Sequence, residues 1–154
     1  MNIFVLHHNP ETAAEMACDK HVVKMILETA QMMCTVVSSY GHDTPYRPTH
    51  AKHPCTIWAG ESRANWNWLI DYGMALCDEY TKRYGKIHKS QAVIEYCAMT
   101  HLELPEIPQT PFAQAMPVQY RNKCAVNAYR AYYHGEKAKI ATWKTKTPAW
   151  WRSQ

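Results

Sequence analysis

His21, Lys24 and Glu28 are three and four residues apart, the spacing that brings side chains onto one face of an α-helix. An imidazole, a primary amine and a carboxylate would then lie within about two turns of one another. General acid–base catalysis and amine-nucleophile chemistry use these groups, so the three residues are candidates for a catalytic site. The alternative is a solvated helix face on which Lys24 and Glu28 form an ion pair worth roughly 0.2–0.5 kcal/mol.

A second group of candidates lies in the proline-rich stretch 42–54. Arg47, His50 and His53 stand between its prolines, and side chains of these types can contact phosphates and bases. The two histidines are also compatible with a metal site completed by a third histidine such as His21, or with a structural loop. The chain has no HExxH motif and no Cys/His spacing typical of a metal site, so no metal is assigned.

The C-terminal segment 142–154 is rich in lysine and tryptophan. Lys144 and Lys146 come shortly after Trp143, and Trp150 and Trp151 come after the two lysines. Lysines neutralise phosphates while aromatic faces stack on exposed bases, so these four residues are candidates for nucleic-acid binding. The alternative is a tryptophan-anchored terminus that packs on the body of the protein.

The charge distribution favours a polyanionic partner. The net charge of the 154-residue chain is +4, and the stretch 120–154 holds eight basic residues against one acid. The rest of the chain carries nine basic and twelve acidic side chains. A basic C-terminal quarter on a mildly acidic body is typical of proteins that bind a polyanion.

Several classes of protein are disfavoured by composition. The six cysteines lie 16 to 27 residues apart with no CxxC, which disfavours zinc ribbons. The apolar start, residues 1–6, is too short for a signal peptide, so we expect a cytoplasmic protein with free thiols. No run approaches the ~20 apolar residues of a membrane span. Nothing in the sequence calls for a cofactor.

The first group of candidates must be positioned by a long helix. An apolar stripe at helical spacing runs from Val22 to Val36, opposite the polar residues. We expect this helix to begin with Asp19 as its N-cap and to end near residues 39–40, with Gly41 as the stop.

The rest of the chain is also predicted to be mostly helical. Asn9 as an N-cap and Pro10 as the first helical residue predict a short helix before the long one. Further helical patterns cover residues 55–84, with a break near Gly60, residues 90–100 and residues 120–141, and the stretch 103–117 is irregular. The sequence therefore predicts an all-α fold, a compact single-domain bundle of five to seven helices over residues 1–154 with a short extended N-terminus.

A set of short motifs occurs in a characteristic order. They are an apolar opening that ends in His7, Asp19-x-His21 with Glu28 nine residues after the aspartate, His53-Pro54 before an aromatic-rich helix, Lys82-Arg83-Tyr84-Gly85 at the end of that helix, and Thr147-Pro148-Ala149-Trp150-Trp151. In these motifs and their order the chain resembles the phage pyrimidine-dimer DNA glycosylase/AP lyase family and its short bacterial and archaeal relatives.

The resemblance implies a helical enzyme that bends double-stranded DNA and flips a base out of the stack. An N-terminal amine would attack the deoxyribose C1′ and form an imine, and Glu28 would be the acid/base that assists sugar chemistry and β-elimination. His21 and Arg47 would contact phosphate or sugar, and Trp150 and Trp151 would lie near the DNA. The resemblance thus implies removal of a damaged or modified base.

One departure leaves the nucleophile open. In the phage members the initiator methionine is removed to expose a small residue, whereas Asn2 is bulky enough to keep Met1 in place. The amine would then be the α-amine of Met1 or that of Lys24, or base removal would be direct hydrolysis. Two other functions remain open: a small enzyme acting on nucleotides or RNA through His21, His53 and Lys24, and a non-catalytic nucleic-acid-binding or inhibitor protein.

Overall fold

Six α-helices make up most of the regular structure of residues 1–153, which the computed structural model describes together with the side chains of residues 1–151. They are α1 (Pro10–Met16), α2 (Asp19–Ser39), α3 (Pro54–Gly60), α4 (Arg63–Tyr84), α5 (Gln91–Met99) and α6 (Ala125–Glu136). Two 3₁₀ turns, Val118–Tyr120 and Ala149–Ser153, flank α6. No strand occurs within residues 1–153, so the predicted all-α fold is confirmed.

Local capping explains most of the helix ends. Asn9 Oδ1 accepts a hydrogen bond from the Thr12 amide at 2.8 Å, with Pro10 at the start of α1, as predicted. Gly41 and Gly85 have φ of +88° and +72° just after α2 and α4, a conformation that glycine adopts without strain. The predicted break near Gly60 is also confirmed, because α4 begins anew with Ser62 as its cap.

The predicted N-cap of α2 is wrong by one residue. The cap is Cys18, which makes no side-chain capping bond, and Asp19 is the first helical residue. The carboxylate of Asp19 instead forms a buried ion pair with Arg83, Oδ1 to Nη1 at 3.2 Å. The Asp19 side chain therefore pairs with Arg83 on α4 and does not cap α2.

The last helix is shorter than predicted, because α6 covers only Ala125–Glu136 instead of residues 120–141. Asn122 exchanges two hydrogen bonds with the side chain of Gln114, and its own Oδ1 accepts from the Cys124 amide. These contacts hold the residues before Ala125 in a turn. The helix ends where the Lys137 amide bonds the Tyr133 carbonyl.

One hydrophobic core contains residues from all six helices and from the extended N-terminal segment. Its largest fully buried side chains include Trp66, Tyr72, Met32 and Met33. α4 approaches α2 closely at Gly73, where an added Cβ would lie 3.0 Å from the Thr29 methyl group. Because residues 2–6 are buried in this core, the chain start is held against α2.

The six cysteines are all free thiols, and five are buried. No helix within the described residues 1–153 is long and apolar enough to cross a lipid bilayer.

Candidate active site

The α-amine of Met1 and the carboxylate of Glu28 form an ion pair, with the amine nitrogen 3.2 Å from Oε1. The other carboxylate oxygen, Oε2, lies 3.8 Å from Nζ of Lys24 one turn earlier on α2. Glu28 is 8% exposed, and Oε1 receives no hydrogen bond from the described residues beyond its ion pair. Two amines thus face one largely buried carboxylate. The alternative interpretation, a solvated helix face, is therefore wrong for Glu28.

Asn2 holds the N-terminus in this position. Its side-chain amide donates to the Ala115 carbonyl at 2.8 Å, and its Oδ1 accepts from the Tyr129 hydroxyl at 2.8 Å. The side chain of Met1 is only 3% exposed, although the residue as a whole is partly exposed. The exposed part of Met1 is therefore its backbone end, which carries the amine.

The Met1–Glu28 pair opens into a cavity of about 290 Å³. The cavity brings together all four candidate catalytic residues and adds one residue from the proline-rich stretch. Its lining consists of Met1, Asn2, Phe4, His21, Lys24, Met25, Glu28, His53, Ala115, Tyr132 and Lys137. The candidate groups that share a face of α2 therefore line one cavity together with Met1.

His21 is a neutral member of this lining. Its ring stacks on Phe4 with centroids 4.2 Å apart, and its Nδ1 lies 2.7 Å from the Tyr133 hydroxyl. Burial, and then the charges of Lys137 and Lys24, lower the pKa of His21 to about 3. At neutral pH the ring therefore offers a hydrogen-bonding edge and no positive charge.

His53 is the only member of the second group that lines the cavity. Its Nδ1 accepts a hydrogen bond from the Cys55 amide at 3.0 Å, which caps α3 and leaves the proton of the neutral ring on Nε2. Burial lowers the pKa of His53, and the nearby N-terminal amine and His50 act in the same direction. Arg47 and His50 lie on the exposed part of the stretch, outside the cavity lining.

Lys24 differs from the desolvated lysine that amine catalysis favours, because its side chain is 69% exposed. Lys24 lines the cavity from this exposed position, whereas the α-amine belongs to Met1, whose side chain is buried.

Phe4, Tyr132 and Lys137 line the cavity but were not among the site residues predicted from the sequence. Nζ of Lys137 lies 5.0 Å from the Tyr132 ring centroid and 5.8 Å from that of Phe4. Lys137 comes more than a hundred residues after Glu28, so no local spacing connects the two. Its place in the basic C-terminal quarter was its one signal.

Asp19 has a structural position outside the cavity lining. Arg83, with no exposed side-chain surface, bonds Asp19 Oδ1 at 3.2 Å and Glu79 Oε1 at 2.9 Å. The backbone amide of Lys144 donates to the same Asp19 oxygen at 3.0 Å. Asp19 therefore ties the start of α2 to α4 and to the C-terminal segment.

The C-terminal segment packs its three indoles on the body of the protein and leaves all three partly exposed. Trp150 lies 5.2 Å from the Arg130 guanidinium, and the Trp151 ring is 4.9 Å from that of His134. Lys144 and Lys146 are both exposed. Gln154, the last residue of the predicted segment, lies outside the described residues.

No group of three or more His, Cys, Asp or Glu side chains in the described part of the chain is arranged to hold a metal ion. The site consists of an amine, a carboxylate, two imidazoles and two further amines around an open cavity. Such a set is suited to proton transfer and to attack on an electrophilic carbon.

Comparison with known proteins gives a match at the family level. No curated protein and no solved structure matches the chain. The sequence profile of one family, described as pyrimidine dimer DNA glycosylase, matches residues 1–92. The match covers more than half of the chain and includes Met1, His21, Lys24, Glu28 and His53. The chain therefore belongs to the pyrimidine dimer DNA glycosylase family.

Proposed function

We propose that the protein removes a damaged or modified base from double-stranded DNA and cleaves the resulting abasic strand as an AP lyase. The Met1 α-amine is the nucleophile and Glu28 the acid/base. The observation that carries the proposal is the 3.2 Å pair of amine and carboxylate at the edge of an open cavity. The free thiols suit a reducing compartment, and we place the enzyme in the cytoplasm.

In the first half of the reaction the Glu28 carboxylate takes a proton from the α-ammonium, leaving a free electron pair on nitrogen. The nitrogen then bonds to C1′ of the deoxyribose, and the base leaves with the electrons of the glycosidic bond and takes up a proton. Opening of the sugar ring breaks the C1′–O4′ bond, and O4′ takes the proton that Glu28 had accepted. This step gives an imine between Met1 and C1′ and restores the Glu28 carboxylate.

In the second half a base removes a proton from C2′ of the imine. The electrons of that C–H bond form a double bond, and the 3′-phosphate leaves by β-elimination. Glu28 is the group placed to take this proton, because its carboxylate lies beside the nitrogen that becomes the imine. Hydrolysis of the imine by water then restores the free amine.

We favour Met1 over Lys24 as the nucleophile because Met1 is already held in place. Its buried side chain and the hydrogen bonds of Asn2 restrict the amine, whereas Lys24 extends from an exposed position on α2. An amine fixed before the substrate arrives loses less entropy on reaction. Lys24 and Lys137 then act as cations that attract the phosphates of the target nucleotide.

The remaining candidates are proposed as DNA contacts outside the cavity. Arg47 and His50 bind phosphates beside His53, and Lys144 and Lys146 do so from the C-terminal segment. The partly exposed faces of Trp150 and Trp151 are proposed to contact the DNA.

The proposal is tested by borohydride trapping on duplex DNA with one abasic site. Wild-type protein whose intact mass includes Met1 is expected to form a covalent adduct, and digestion with mass spectrometry is expected to place it on the Met1 amine. Glu28→Gln is expected to lower the trapping rate by about 100-fold or more, because it removes the proton acceptor. Lys24→Ala is expected to retain the adduct.

Matched controls remove the same groups elsewhere on the surface. Glu95→Gln removes an exposed carboxylate from α5, and Lys123→Ala removes an exposed amine, and both are expected to trap like wild type. An adduct on Lys24 contradicts the assignment of the nucleophile. Base release without an adduct indicates direct hydrolysis, turnover of free nucleotides or RNA indicates the small-enzyme alternative, and DNA binding without turnover indicates a non-catalytic binder.

A further inference from the structure

Three exposed apolar side chains stand on α2 and on the loop before α5. Val23 and Leu27 are one turn apart on α2 and are 40% and 41% exposed, and Ile87 is 72% exposed. His88 Nε2 lies 3.0 Å from the Val23 carbonyl, so the loop that carries Ile87 rests against this part of α2. We call Val23, Leu27 and Ile87 the apolar ridge.

The apolar ridge lies on the face of α2 next to the one that lines the cavity. Lys24, which lines the cavity, follows Val23 in the chain, and Glu28 follows Leu27, so each cavity residue is turned by about 100° around the helix axis from a ridge residue. A partner seated on the ridge therefore lies next to Lys24 at the edge of the cavity.

The exposed charges on the two stretches of chain that carry the apolar ridge are all of one sign. In residues 20–31 and 85–90 the exposed charged side chains are Lys20, Lys24, Lys86 and Lys89. Glu28, the one acid in these stretches, is buried and paired. Two copies of this face would repel each other, whereas duplex DNA has phosphates outside and an apolar base stack inside.

We propose that the apolar ridge is a wedge that enters the base stack of duplex DNA beside the target nucleotide. The proposal rests on the proposed function, since a nucleotide must leave the stack to reach an amine and a carboxylate at the edge of a cavity. Apolar side chains inserted at a base step take the place of the lost stacking contacts. The lysines around the ridge hold the two flanking backbones.

The test measures unstacking separately from chemistry. A duplex carries 2-aminopurine, a fluorescent base, next to a tetrahydrofuran abasic analogue that forms no imine. Wild-type binding is expected to raise the 2-aminopurine fluorescence, and the double variant Leu27→Ala/Ile87→Ser is expected to lose that rise. Met99→Ser removes a side chain that is 87% exposed on α5 and is the matched control expected to behave as wild type.

Borohydride trapping separates this proposal from the proposed function. On duplex abasic DNA the double variant is expected to trap on the order of tenfold more slowly, because the duplex is no longer held open. On single-stranded abasic DNA, where nothing needs to be unstacked, it is expected to trap like wild type.

Each outcome bears on one of the two proposals. Ridge-dependent fluorescence without any adduct leaves the wedge standing and removes the imine chemistry. Equal fluorescence and equal duplex trapping in wild type and double variant overturn the wedge while the chemistry stands. The wedge is also overturned if wild-type protein leaves the 2-aminopurine fluorescence unchanged. It is overturned too if the double variant keeps the fluorescence rise and the duplex trapping rate but loses self-association or binding to anionic vesicles.

Discussion

At the scale of single residues, the Arg83 group and the Glu28–Met1 pair both hold buried charges, but only the second is open to a substrate. Arg83 directs its donors to Asp19, Glu79 and two backbone carbonyls, so its charge is fully enclosed by partners. Glu28 has an oxygen with no hydrogen bond from the described residues, and the amine that faces it opens to a cavity. The first arrangement favours a structural role, and the second leaves bonding capacity for a substrate.

The neutral state of His21 gives a prediction about stability. Its pKa is about 3 in the folded protein and is expected near 6.5 when unfolded, so between these values only the unfolded chain binds the proton. Stability is therefore lost as pH falls from 6.5 towards 3, by about 1.4 kcal/mol per pH unit from this residue. Denaturant unfolding across this window is expected to show a shallower pH slope for His21→Asn than for wild type.

The exposed His42 is the matched control for this measurement. His42→Asn is expected to keep the wild-type slope. If His21→Asn also keeps it, the buried ring is protonated in the folded protein and the neutral role assigned to it is wrong.

The sequence predicted those site residues whose relation is local. His21, Lys24 and Glu28 share one helix, so their spacing was enough to predict that they lie together. Tyr132 and Lys137 reach the cavity only through the packing of the chain as a whole, and no periodicity carries that information. Neither could the spacing show that His21 and Glu28 are buried, because burial of a polar face depends on what covers it.

At the scale of elements, helix ends were predictable where the chain caps itself. Asn9 begins and Gly41 ends a helix through its own side chain or backbone, and both predictions are confirmed. The start of α2 and the start of α6 were predicted wrongly because distant partners decide them. Asp19 turns to Arg83, and Asn122 pairs with Gln114.

The ion-pair group around Arg83 predicts a large loss of stability when its charge is removed. Arg83→Met leaves Asp19 and Glu79 buried without their partner, which is expected to lower the free energy of unfolding by about 3–5 kcal/mol. The neighbouring Lys82 is exposed, so Lys82→Met is expected to change it by less than about 0.5 kcal/mol. Urea unfolding of both variants measures the difference, and similar small losses would show that the group contributes little.

At the scale of the whole molecule, the basic C-terminal quarter is divided among different surroundings. Lys137 lines the cavity with Glu28, and Lys144 lies over the Tyr84 ring at 5.4 Å, next to the loop that carries Lys86 and Lys89. Lys146 lines a different cavity, of about 450 Å³, together with Lys82, the exposed Glu15 and the Glu79 carboxylate that is paired with Arg83. The C-terminal segment, which was predicted from the sequence to be one basic patch, thus places Lys144 and Lys146 in two different electrostatic environments.

This division predicts that Lys144 and Lys146 contribute unequally to DNA binding. Each lysine that neutralises a phosphate adds about 0.9 to the slope of log affinity against log salt on duplex DNA. Lys144 is held at the start of α2 by its backbone bond to Asp19 and faces no exposed acid on α2 or in residues 85–90. Lys144→Ala is therefore expected to weaken duplex binding and to lower the slope by about one. Lys146→Ala is expected to lower it by less, because the exposed Glu15 lines the same cavity and offsets part of its charge. Fluorescence anisotropy titrations over a range of salt concentrations measure both slopes, and an equal drop in the two variants would mean that the DNA also crosses the α1–α4 side of the protein.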